Sequence, residues 1–413
     1  MERLVEVYIS LGEEILLIGR LWTRARSGRE SASFEYSDGW LAREDAFSLD
    51  PELELGRGQF HTDRALFNAF TDPAPDRWGQ TLLRRNEQVR ARAEGRAPRT
   101  LLAVDMLTLV DAETRLGALR FRTPGDSAFL TTSRSRVPPL VELPRLLRAT
   151  RRLIDDKETA DDLALLLAPG TSLGGARPKA TVRNQDGRLA IAKFPSQHDD
   201  WPITQWEAAT LAMAEAAGVE VPGRQLRVVL KKPVLIIERF DRRGLERVPY
   251  ISAHTALAAN ERELRSYLEL AEVLRTSGAA PARDLEELWR RVVFNVLVSN
   301  VDDHLRNHGF LREPGGWRLA PAFDLNPVPV DVRPRVHALA IDEADQSAPL
   351  ERVLAIAPQF NVKPARARAI VREVAAVTRR WRRVASDCGL TQRQIDRMET
   401  AFEHEDAEAA RSV

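Results

Sequence analysis

The sequence predicts a mixed α+β chain whose first half is rich in strands and whose second half is rich in helices. Apolar and polar residues alternate within the first 40 residues, and two hairpin patterns lie at 180–194 and 225–240. From about residue 250 onward the apolar residues recur with a helical period, apart from a β-like interruption at 310–319. These patterns predict an N-terminal α/β subdomain at 1–125, a small β-rich domain at 140–245 and a mainly helical domain at 246–413.

The composition indicates a soluble, multidomain globular chain. Its 413 residues exceed what one hydrophobic core usually organises, and 44% hydrophobic residues exclude a disordered chain. The net charge of +1 excludes a global electrostatic attraction to nucleic acid or membrane. The single cysteine, Cys388, excludes an internal disulfide framework and a Cys-based zinc site. We find neither a long apolar run nor a basic-then-apolar N-terminus, so we expect a cytoplasmic protein without a membrane partner.

The individual elements follow from local signals. Residues 4–22 read as a hairpin and 32–36 as a third strand. Asp76 is predicted to cap a helix that ends near Arg92, and a short strand is expected at 117–122. Residues 123–139, rich in Ser, Thr, Pro and Arg, resemble a linker. Further on, a helix at 203–217 and a turn at Lys231-Lys232-Pro233 are expected.

A glycine-rich loop, Thr171 to Lys179, directly precedes the strand at 180–183. Gly174 and Gly175 would let backbone N–H groups approach a phosphate closely, and Lys179 would add positive charge. The loop matches neither the dinucleotide-binding nor the Walker pattern. An ordinary flexible turn before a hairpin therefore stays open as an interpretation.

Lys193 is a candidate phosphate ligand. Lysines are rare among the 61 basic residues, and this one lies on a strand between Ala192 and Phe194. Glu207 follows early in the next predicted helix, and a strand lysine paired with a helix glutamate holds ATP phosphates in protein kinases. A solvated edge-strand lysine is the alternative.

The segment from Ser299 to Phe310 carries the most specific signal. Asp302 is followed five residues later by Asn307, and Asp324 comes after a predicted short hairpin. In kinases a carboxylate in the first position accepts the proton of the attacking hydroxyl, and the Asn and second Asp bind Mg²⁺. Two alternatives remain open. Asp302, Asp303, His304 and His308 could form a metal-hydrolase cluster if the segment were helical, or the loop could simply cap and turn the backbone.

Taken together, these motifs resemble the HipA family of toxin serine/threonine kinases. The matching strings run through most of the chain: 72–79, 114–120, 172–179, 192–195, 237–242, 300–307 and 319–324. The resemblance implies a two-lobed, protein-kinase-like α+β fold with an N-terminal α/β subdomain, a small β-rich lobe and an all-helical C-terminal lobe.

The resemblance also implies roles for individual residues. Asp302 would be the catalytic base, with Asn307 and Asp324 as Mg²⁺ ligands. Lys193 would hold the ATP phosphates. The remaining nucleotide contacts would come from the glycine-rich loop and the strand end that borders the adenine: Gly174, Gly175, Ala176, Lys179, Glu238 and Phe240. Ser172 matches the family's autophosphorylation serine, and the adjacent Thr171 leaves the exact position open.

Family membership would make the chain an ATP- and Mg²⁺-dependent toxin of a type II toxin–antitoxin module. Its substrate would be a translation factor such as an aminoacyl-tRNA synthetase. Its partner would be a HipB-like helix-turn-helix antitoxin that binds operator DNA. A small-molecule phosphotransferase is a second reading, disfavoured because such enzymes do not need residues 1–125. A catalytically silent co-repressor is a third, disfavoured because the chain retains Lys193, Asp302, Asn307 and Asp324 together.

Overall fold

The computed structural model describes residues 2–26, 28–130, 137–167, 177–260, 263–342 and 346–413. They divide into two units. The first unit comprises Met1–Ser196, Val229–Lys231 and Glu238–Ile251, and the second comprises Gln197–Val228, Lys232–Ile237 and Ser252–Val413. The predicted boundary near residue 125 falls inside the first unit, and the predicted β-rich domain contributes to both.

The strands of the described residues are, in chain order, β1 (Glu2–Leu11), β2 (Glu14–Arg26), β3 (Arg29–Tyr36), β4 (Gln59–Thr62), β5 (Leu119–Arg122), β6 (Lys179–Arg183), β7 (Leu189–Lys193), β8 (Arg224–Val229), β9 (Lys232–Glu238), β10 (Arg242–Arg243), β11 (Glu246–Arg247), β12 (Tyr250–Ser252), β13 (Gly309–Glu313) and β14 (Gly316–Leu319).

The α-helices of the described residues are α1 (Asp38–Leu41), α2 (Asn68–Thr71), α3 (Arg77–Ala93), α4 (Ala103–Thr108), α5 (Leu143–Ile154), α6 (Ala160–Leu167), α7 (Ile203–Ala216), α8 (Ala253–Ala256), α9 (Tyr267–Ser277), α10 (Pro281–Leu297), α11 (Leu350–Ala355), α12 (Pro364–Thr378), α13 (Trp381–Asp387), α14 (Gln392–Asp396), α15 (Glu399–Phe402) and α16 (Glu405–Ser412). Short 3₁₀ turns lie at Leu140–Glu142, Leu305–Asn307 and Ala357–Phe360.

The first unit is built on an antiparallel sheet with the order β4-β3-β2-β1-β5, which confirms the predicted hairpin and third strand. Alternating residues such as Val5 and Val7 are buried because one face of the sheet packs into the core. Gly19 is required where β2 meets β3, since a Cβ there would lie 2.1 Å from the Glu35 carbonyl oxygen.

Helix α3 begins where the sequence predicts it. The Asp76 carboxylate accepts a hydrogen bond of 2.8 Å from the Gly79 backbone N–H, which satisfies one of the unpaired donors of the first helical turn. Leu82, Leu83 and Ala91 are buried, so the helix presents one apolar face to the core.

The second unit surrounds α10, whose residues from Leu288 to Leu297 are all buried. A helix buried on every face must lie in the centre of its domain. Hairpin β13–β14 follows the segment with Asp302 and Asn307, so this part is mainly rather than wholly helical, and the predicted β-like interruption is confirmed. Aromatic packing also contributes to this unit, with Trp381 and Phe402 stacked at 4.6 Å between ring centroids.

The turn between β8 and β9 differs from the prediction. Leu230 and Lys231 occupy it with φ of 48° and 61°, whereas Lys232 and Pro233 already belong to β9. Two consecutive positive φ values are typical of the tight two-residue hairpin turn, whose twist matches that of the strands. No helix within the described ranges is long and apolar enough to cross a membrane.

Candidate active site

The segment with the most specific motif is a loop, as predicted. Helix α10 ends at Leu297, Ser299 adopts φ of 51°, and a 3₁₀ turn at Leu305–Asn307 leads into β13. His304 and His308 therefore do not share a helix face, which the metal-hydrolase interpretation requires. Within the described part of the chain, no group of three or more His, Cys, Asp or Glu side chains is placed to hold a metal ion.

The two adjacent aspartates of this loop have opposite environments. The Asp302 side chain is 65% exposed, whereas that of Asp303 is 2% exposed. The Asn307 side-chain nitrogen donates a 3.1 Å hydrogen bond to the Asp302 carbonyl oxygen, which closes the loop between the two motif residues. Because that amide donates through its nitrogen, its oxygen is the atom left to act as a ligand.

Asp303 anchors the loop from inside. Its Oδ2 accepts hydrogen bonds from the Tyr267 hydroxyl and from Asn295 Nδ2 at 2.9 Å, and it lies 2.7 Å from His308 Nε2. Burial by itself would raise the pKa of Asp303, but the charge and hydrogen bonds of His308 and Tyr267 hold it below its ordinary value. A buried, ionised carboxylate with three partners fixes the backbone from which Asp302 projects.

This network continues to the segment that follows Asp324. Asn300 Nδ2 donates to Asn295 Oδ1 at 3.0 Å, and Asn300 Oδ1 accepts from the Asn326 backbone N–H at 3.2 Å. The amides thereby connect α10, the Asp302 loop and the segment after β14. The second unit thus brings Asp302, Asn307 and Asp324 onto one hydrogen-bonded framework.

Asp324 adopts φ of 60°, a left-handed conformation that costs a non-glycine residue energy. Its Oδ1 accepts a 3.3 Å hydrogen bond from Asn326 Nδ2, and Asn326 Oδ1 is buried with no hydrogen-bond partner among the residues that the structure describes. Buried acceptors normally find a donor, so an unpaired oxygen beside a carboxylate suits a bound cation. Carboxylate and amide oxygens are the ligands that Mg²⁺ prefers.

The first unit contains the two predicted phosphate-binding lysines. Lys193 ends β7 and lies directly opposite Lys179 in the β6–β7 register, so their side chains point to the same face. The sequence did not predict this pairing, because a register is not visible in either strand alone. Glu207, the predicted partner of Lys193, is a buried residue of α7 in the second unit.

Lys179 does not lie in the glycine-rich loop, where the sequence placed it, but begins β6. Its ammonium group lies 2.6 Å from Asp76 Oδ2, and both side chains are nearly inaccessible. The Lys179 carbonyl oxygen also accepts a 2.9 Å hydrogen bond from the Trp78 indole. The lysine therefore holds the start of α3, and a contact with phosphate stays a prediction.

Glu238 and Phe240 lie at the end of β9, as predicted. The Glu238 carboxylate is 36% exposed and contacts Arg188 at 3.4 Å, and Phe240 packs beside Tyr250 with 6.1 Å between centroids. Both side chains remain partly accessible, as contacts with a nucleobase require. The predicted loop residues Thr171, Ser172, Gly174, Gly175 and Ala176 lie outside the described residues.

An arginine cluster follows this strand end, and the sequence did not predict its contacts with residues 112–117. Arg239 and Arg242 both contact the buried carboxylate of Asp241, and Asp241 also accepts a 2.8 Å hydrogen bond from the Gly117 backbone N–H. Arg247 donates to the Gly117 carbonyl oxygen at 3.1 Å. The available signal was that 114–120 and 237–242 both match the family, which did not reveal that they contact each other.

Two family models match the chain. The model of the HipA-like C-terminal domain matches residues 171–381, more than half of the chain, and the model of the HipA N-terminal domain matches residues 11–104. Both lie in the regions where the sequence motifs resemble that family.

Two curated proteins are similar to part of the chain. "Putative kinase Y4mE" of Sinorhizobium fredii is 28% identical over 202 residues, which are 42% of this chain and 46% of that protein. A "Putative kinase" of Haemophilus influenzae is 23% identical over 180 residues, 38% of this chain and 52% of that protein. The chain spans about half the length of the curated relatives it matches.

Among solved structures, the chain is similar to HipA of Shewanella oneidensis, determined in complex with HipB and its operator DNA. The TM-score is 0.64 at 18% sequence identity, and the similarity covers 99% of each chain. This likeness establishes a mixed α+β fold of the HipA type. Together with the two family models, it shows that the chain belongs to the HipA family.

Proposed function

We propose that the chain is an ATP- and Mg²⁺-dependent protein serine/threonine kinase and the toxin of a type II toxin–antitoxin module. The observation that carries the proposal is the contrast between Asp302 and Asp303. A water-facing carboxylate on a loop that is rigidly anchored from inside is suited to accept a proton from a substrate hydroxyl. Family membership and the names of the two curated relatives support the same chemistry.

In this proposal Asp302 orients the acceptor hydroxyl and takes its proton. The hydroxyl oxygen forms a bond to the γ-phosphorus of ATP while the bond between that phosphorus and the β–γ bridging oxygen breaks, which releases ADP. Asn307 holds the loop closed through the Asp302 carbonyl. Geometry of this kind contributes to the rate because the reacting atoms are positioned before the reaction begins.

The residues present fit a magnesium ion. Asn307 and Asp324 would hold it through side-chain oxygens. Asn326, whose amide nitrogen donates to Asp324, has a side-chain oxygen without a hydrogen-bond partner among the described residues. When bound, Mg²⁺ neutralises phosphate charge. The left-handed backbone of Asp324 is consistent with a carboxylate held in place for a ligand rather than for stability.

The first unit would bind the nucleotide. Lys193, on the same strand face as Lys179, would contact the ATP phosphates, and Glu238 and Phe240 would border the adenine. Ser172 would be the autophosphorylation site. A phosphate there adds about −1.5 to −2 charge beside loop residues meant to surround ATP phosphates, so repulsion would switch the kinase off.

The proposed partner and substrate are those that the family resemblance implies. A HipB-like helix-turn-helix antitoxin and, through it, operator DNA are the proposed partners, because the similar Shewanella HipA was solved with HipB and its operator DNA. A net charge of +1 is consistent with an antitoxin that supplies most phosphate contacts to DNA. The proposed substrate is an aminoacyl-tRNA synthetase.

The test incubates the purified chain with Mg²⁺ and ATP and maps phosphate by mass spectrometry. We expect phosphate at Ser172 or Thr171 in the wild type and its loss in Asp302→Ala, by about 10²-fold or more. Asp387→Ala is the matched control, since Asp387 is also an exposed aspartate of the second unit. Equal phosphate in Asp302→Ala would contradict the assigned base, and no phosphate in ATP-bound wild type would favour the silent co-repressor.

A further inference from the structure

The turn that runs from Pro329 to Val336 lies beside the proposed catalytic base. The backbone N–H groups of Val332 and Arg333 both donate to the Pro329 carbonyl oxygen, at 3.0 and 3.2 Å. Just before the turn, the Val328 N–H donates to the Ser299 carbonyl at 3.1 Å, which attaches it to the start of the Asp302 loop. We call residues 329–336 the Val/Arg turn.

The Val/Arg turn is also anchored to the C-terminal helices. Val330 N–H donates to the Thr400 hydroxyl at 3.1 Å, and Asp331 pairs with Arg397 at 2.7 Å. Arg335 contacts Asp406 at 2.8 Å and donates to the Ser299 hydroxyl at 3.2 Å. With anchors on both sides, the turn presents its remaining side chains on a preformed backbone.

Apolar side chains on this turn face water. Val330, Val332 and Val336 are 46%, 46% and 44% exposed. Single exposed apolar residues are common and need no explanation, but three within seven residues of an anchored turn form a patch. Such a patch beside a reactive carboxylate indicates a surface that another chain covers.

Arg333, on the same turn as the exposed valines, contacts the proposed catalytic base Asp302. One guanidinium nitrogen lies 2.7 Å from Asp302 Oδ1, and the two side chains are 42% and 65% exposed. An exposed ion pair of this kind contributes less than about 1 kcal/mol, so a substrate can exchange it. A substrate carboxylate could engage the guanidinium with two parallel hydrogen bonds, which is stronger than the present contact through one nitrogen.

We propose that the Val/Arg turn binds the segment of the protein substrate that carries the acceptor hydroxyl. Arg333 pairs with an acidic residue next to that hydroxyl, and the valines contact its apolar neighbours. Transfer of Arg333 from Asp302 to the substrate carboxylate leaves both Asp302 oxygens for the acceptor hydroxyl. The inference rests on the proposed kinase function, and it makes Arg333 a specificity-determining residue for acidic acceptor sites.

The test uses a bacterial protein extract that has been dephosphorylated and freed of its own kinase activity. Full-length wild type, Arg333→Gln and Arg333→Glu each act on it with Mg²⁺ and ATP, and mass spectrometry identifies the sites. Arg352→Glu is the matched control, because Arg352 is 43% exposed and, like Arg333, contacts an aspartate, Asp342. Sites that Asp302→Ala also produces are discarded.

For the wild type and Arg352→Glu we expect a several-fold enrichment of Asp and Glu within two residues of the phosphorylated Ser or Thr. The enrichment should disappear in Arg333→Gln and give way to Lys and Arg in Arg333→Glu. Val332→Ser should raise the acceptor KM several-fold without a matching change in kcat.

Four outcomes overturn the inference. Sites without acidic neighbours in the wild type, or an enrichment that survives in Arg333→Gln, refute it while the kinase function stands. Complete loss of transfer in Arg333→Gln also refutes it, because a specificity residue redirects transfer rather than abolishing it. A wild type that phosphorylates nothing overturns the proposed function, and the inference with it.

Discussion

Each unit buries an aspartate at the centre of a polar network, but the donors differ. In the first unit Asp241 is surrounded by guanidinium groups of Arg239 and Arg242, whereas in the second Asp303 is surrounded by Tyr267, Asn295 and His308. Burial would raise the pKa of Asp241, but the two arginines hold it well below its ordinary value.

The difference shows what each network is built to hold. The arginines around Asp241 have further N–H groups that donate to main-chain carbonyl oxygens of residues 112–117. The cluster therefore holds this loop of the first unit in place. Around Asp303 the neighbouring donors include neutral hydroxyl and amide groups, and the adjacent Asp302 stays at the surface. The buried charge pairs around Asp241 serve rigidity, whereas the anchoring of Asp303 leaves the adjacent Asp302 carboxylate exposed.

Removing the charge at the arginine-rich network should have the largest effect on stability. Asp241→Asn leaves Arg239 and Arg242 buried without their counter-charge, which costs about 3–5 kcal/mol of unfolding free energy. Urea denaturation measures it. Asp186→Asn, at an exposed turn, should change the value by less than about 0.5 kcal/mol. A loss below about 1 kcal/mol in Asp241→Asn would contradict the role assigned to the cluster.

The Asp303 network should respond less to loss of its carboxylate, and the neighbouring Asp302 should respond differently. Asp303→Asn turns an amide nitrogen toward existing donors and leaves one of them unpaired, so we expect a loss of about 2–3 kcal/mol. Asp302→Asn should abolish phosphoryl transfer but shift the unfolding free energy by less than about 0.5 kcal/mol. Denaturation and transfer assays on both variants measure these effects. A stability loss in Asp302→Asn, together with loss of transfer but not of stability in Asp303→Asn, would contradict the comparison.

Acidification should protonate particular buried groups of the two units, with opposite effects on stability. Burial lowers the pKa of His337 and of His404 to about 4, so the unfolded state binds protons first as the pH falls below about 6.5. Each tenfold change in proton affinity is worth about 1.4 kcal/mol, so each histidine removes up to about 3 kcal/mol between pH 6.5 and 4. These rings face charged groups of the second unit: Asp303, Arg333, Arg335, Asp406 and Arg411.

Asp50 of the first unit opposes this trend. Burial raises the pKa of its carboxyl to about 6, so the folded state binds the proton more tightly and stability rises as the pH falls from 6 toward 4. Urea denaturation between pH 7 and 4.5 should show a flatter pH dependence in His337→Leu and a steeper one in Asp50→Asn. Parallel curves for wild type and both variants would refute the assignment.

The smallest effect should come from the exposed pair. Arg333→Gln removes the contact with Asp302, and we expect the unfolding free energy to change by less than about 0.5 kcal/mol. Thermal unfolding at low and high salt measures it, and a fall of several degrees would assign Arg333 a structural role. The exposed Arg333–Asp302 pair and the buried Asp241 cluster would then no longer differ in their contribution to stability.

Local patterns predicted much of the fold. The strands β1 to β3, the Asp76 cap of α3 and the loop around Asp302 were all expected, because alternation, caps and helix ends depend on neighbours within a few residues. The β8–β9 turn was displaced by one residue, since Leu230 carries no signal for the positive φ it adopts.

Contacts between residues far apart in the sequence were not predicted. Lys179 binds Asp76 across 103 positions, and Asp241 binds the Gly117 backbone across 124. No local pattern encodes which buried lysine or aspartate finds which partner, because many pairings satisfy the same periodicity.

By itself, the sequence determined that this chain has a HipA-type α+β fold and carries Asp302, Asn307 and Asp324 in the order of a kinase site. Only the tertiary structure decided that Asp302 faces water while Asp303 is buried, and that Lys193 lies opposite Lys179. The physical reason is that chemical type and spacing are written in the chain, whereas burial and partner depend on which distant surfaces exclude water from each carboxylate and ammonium group.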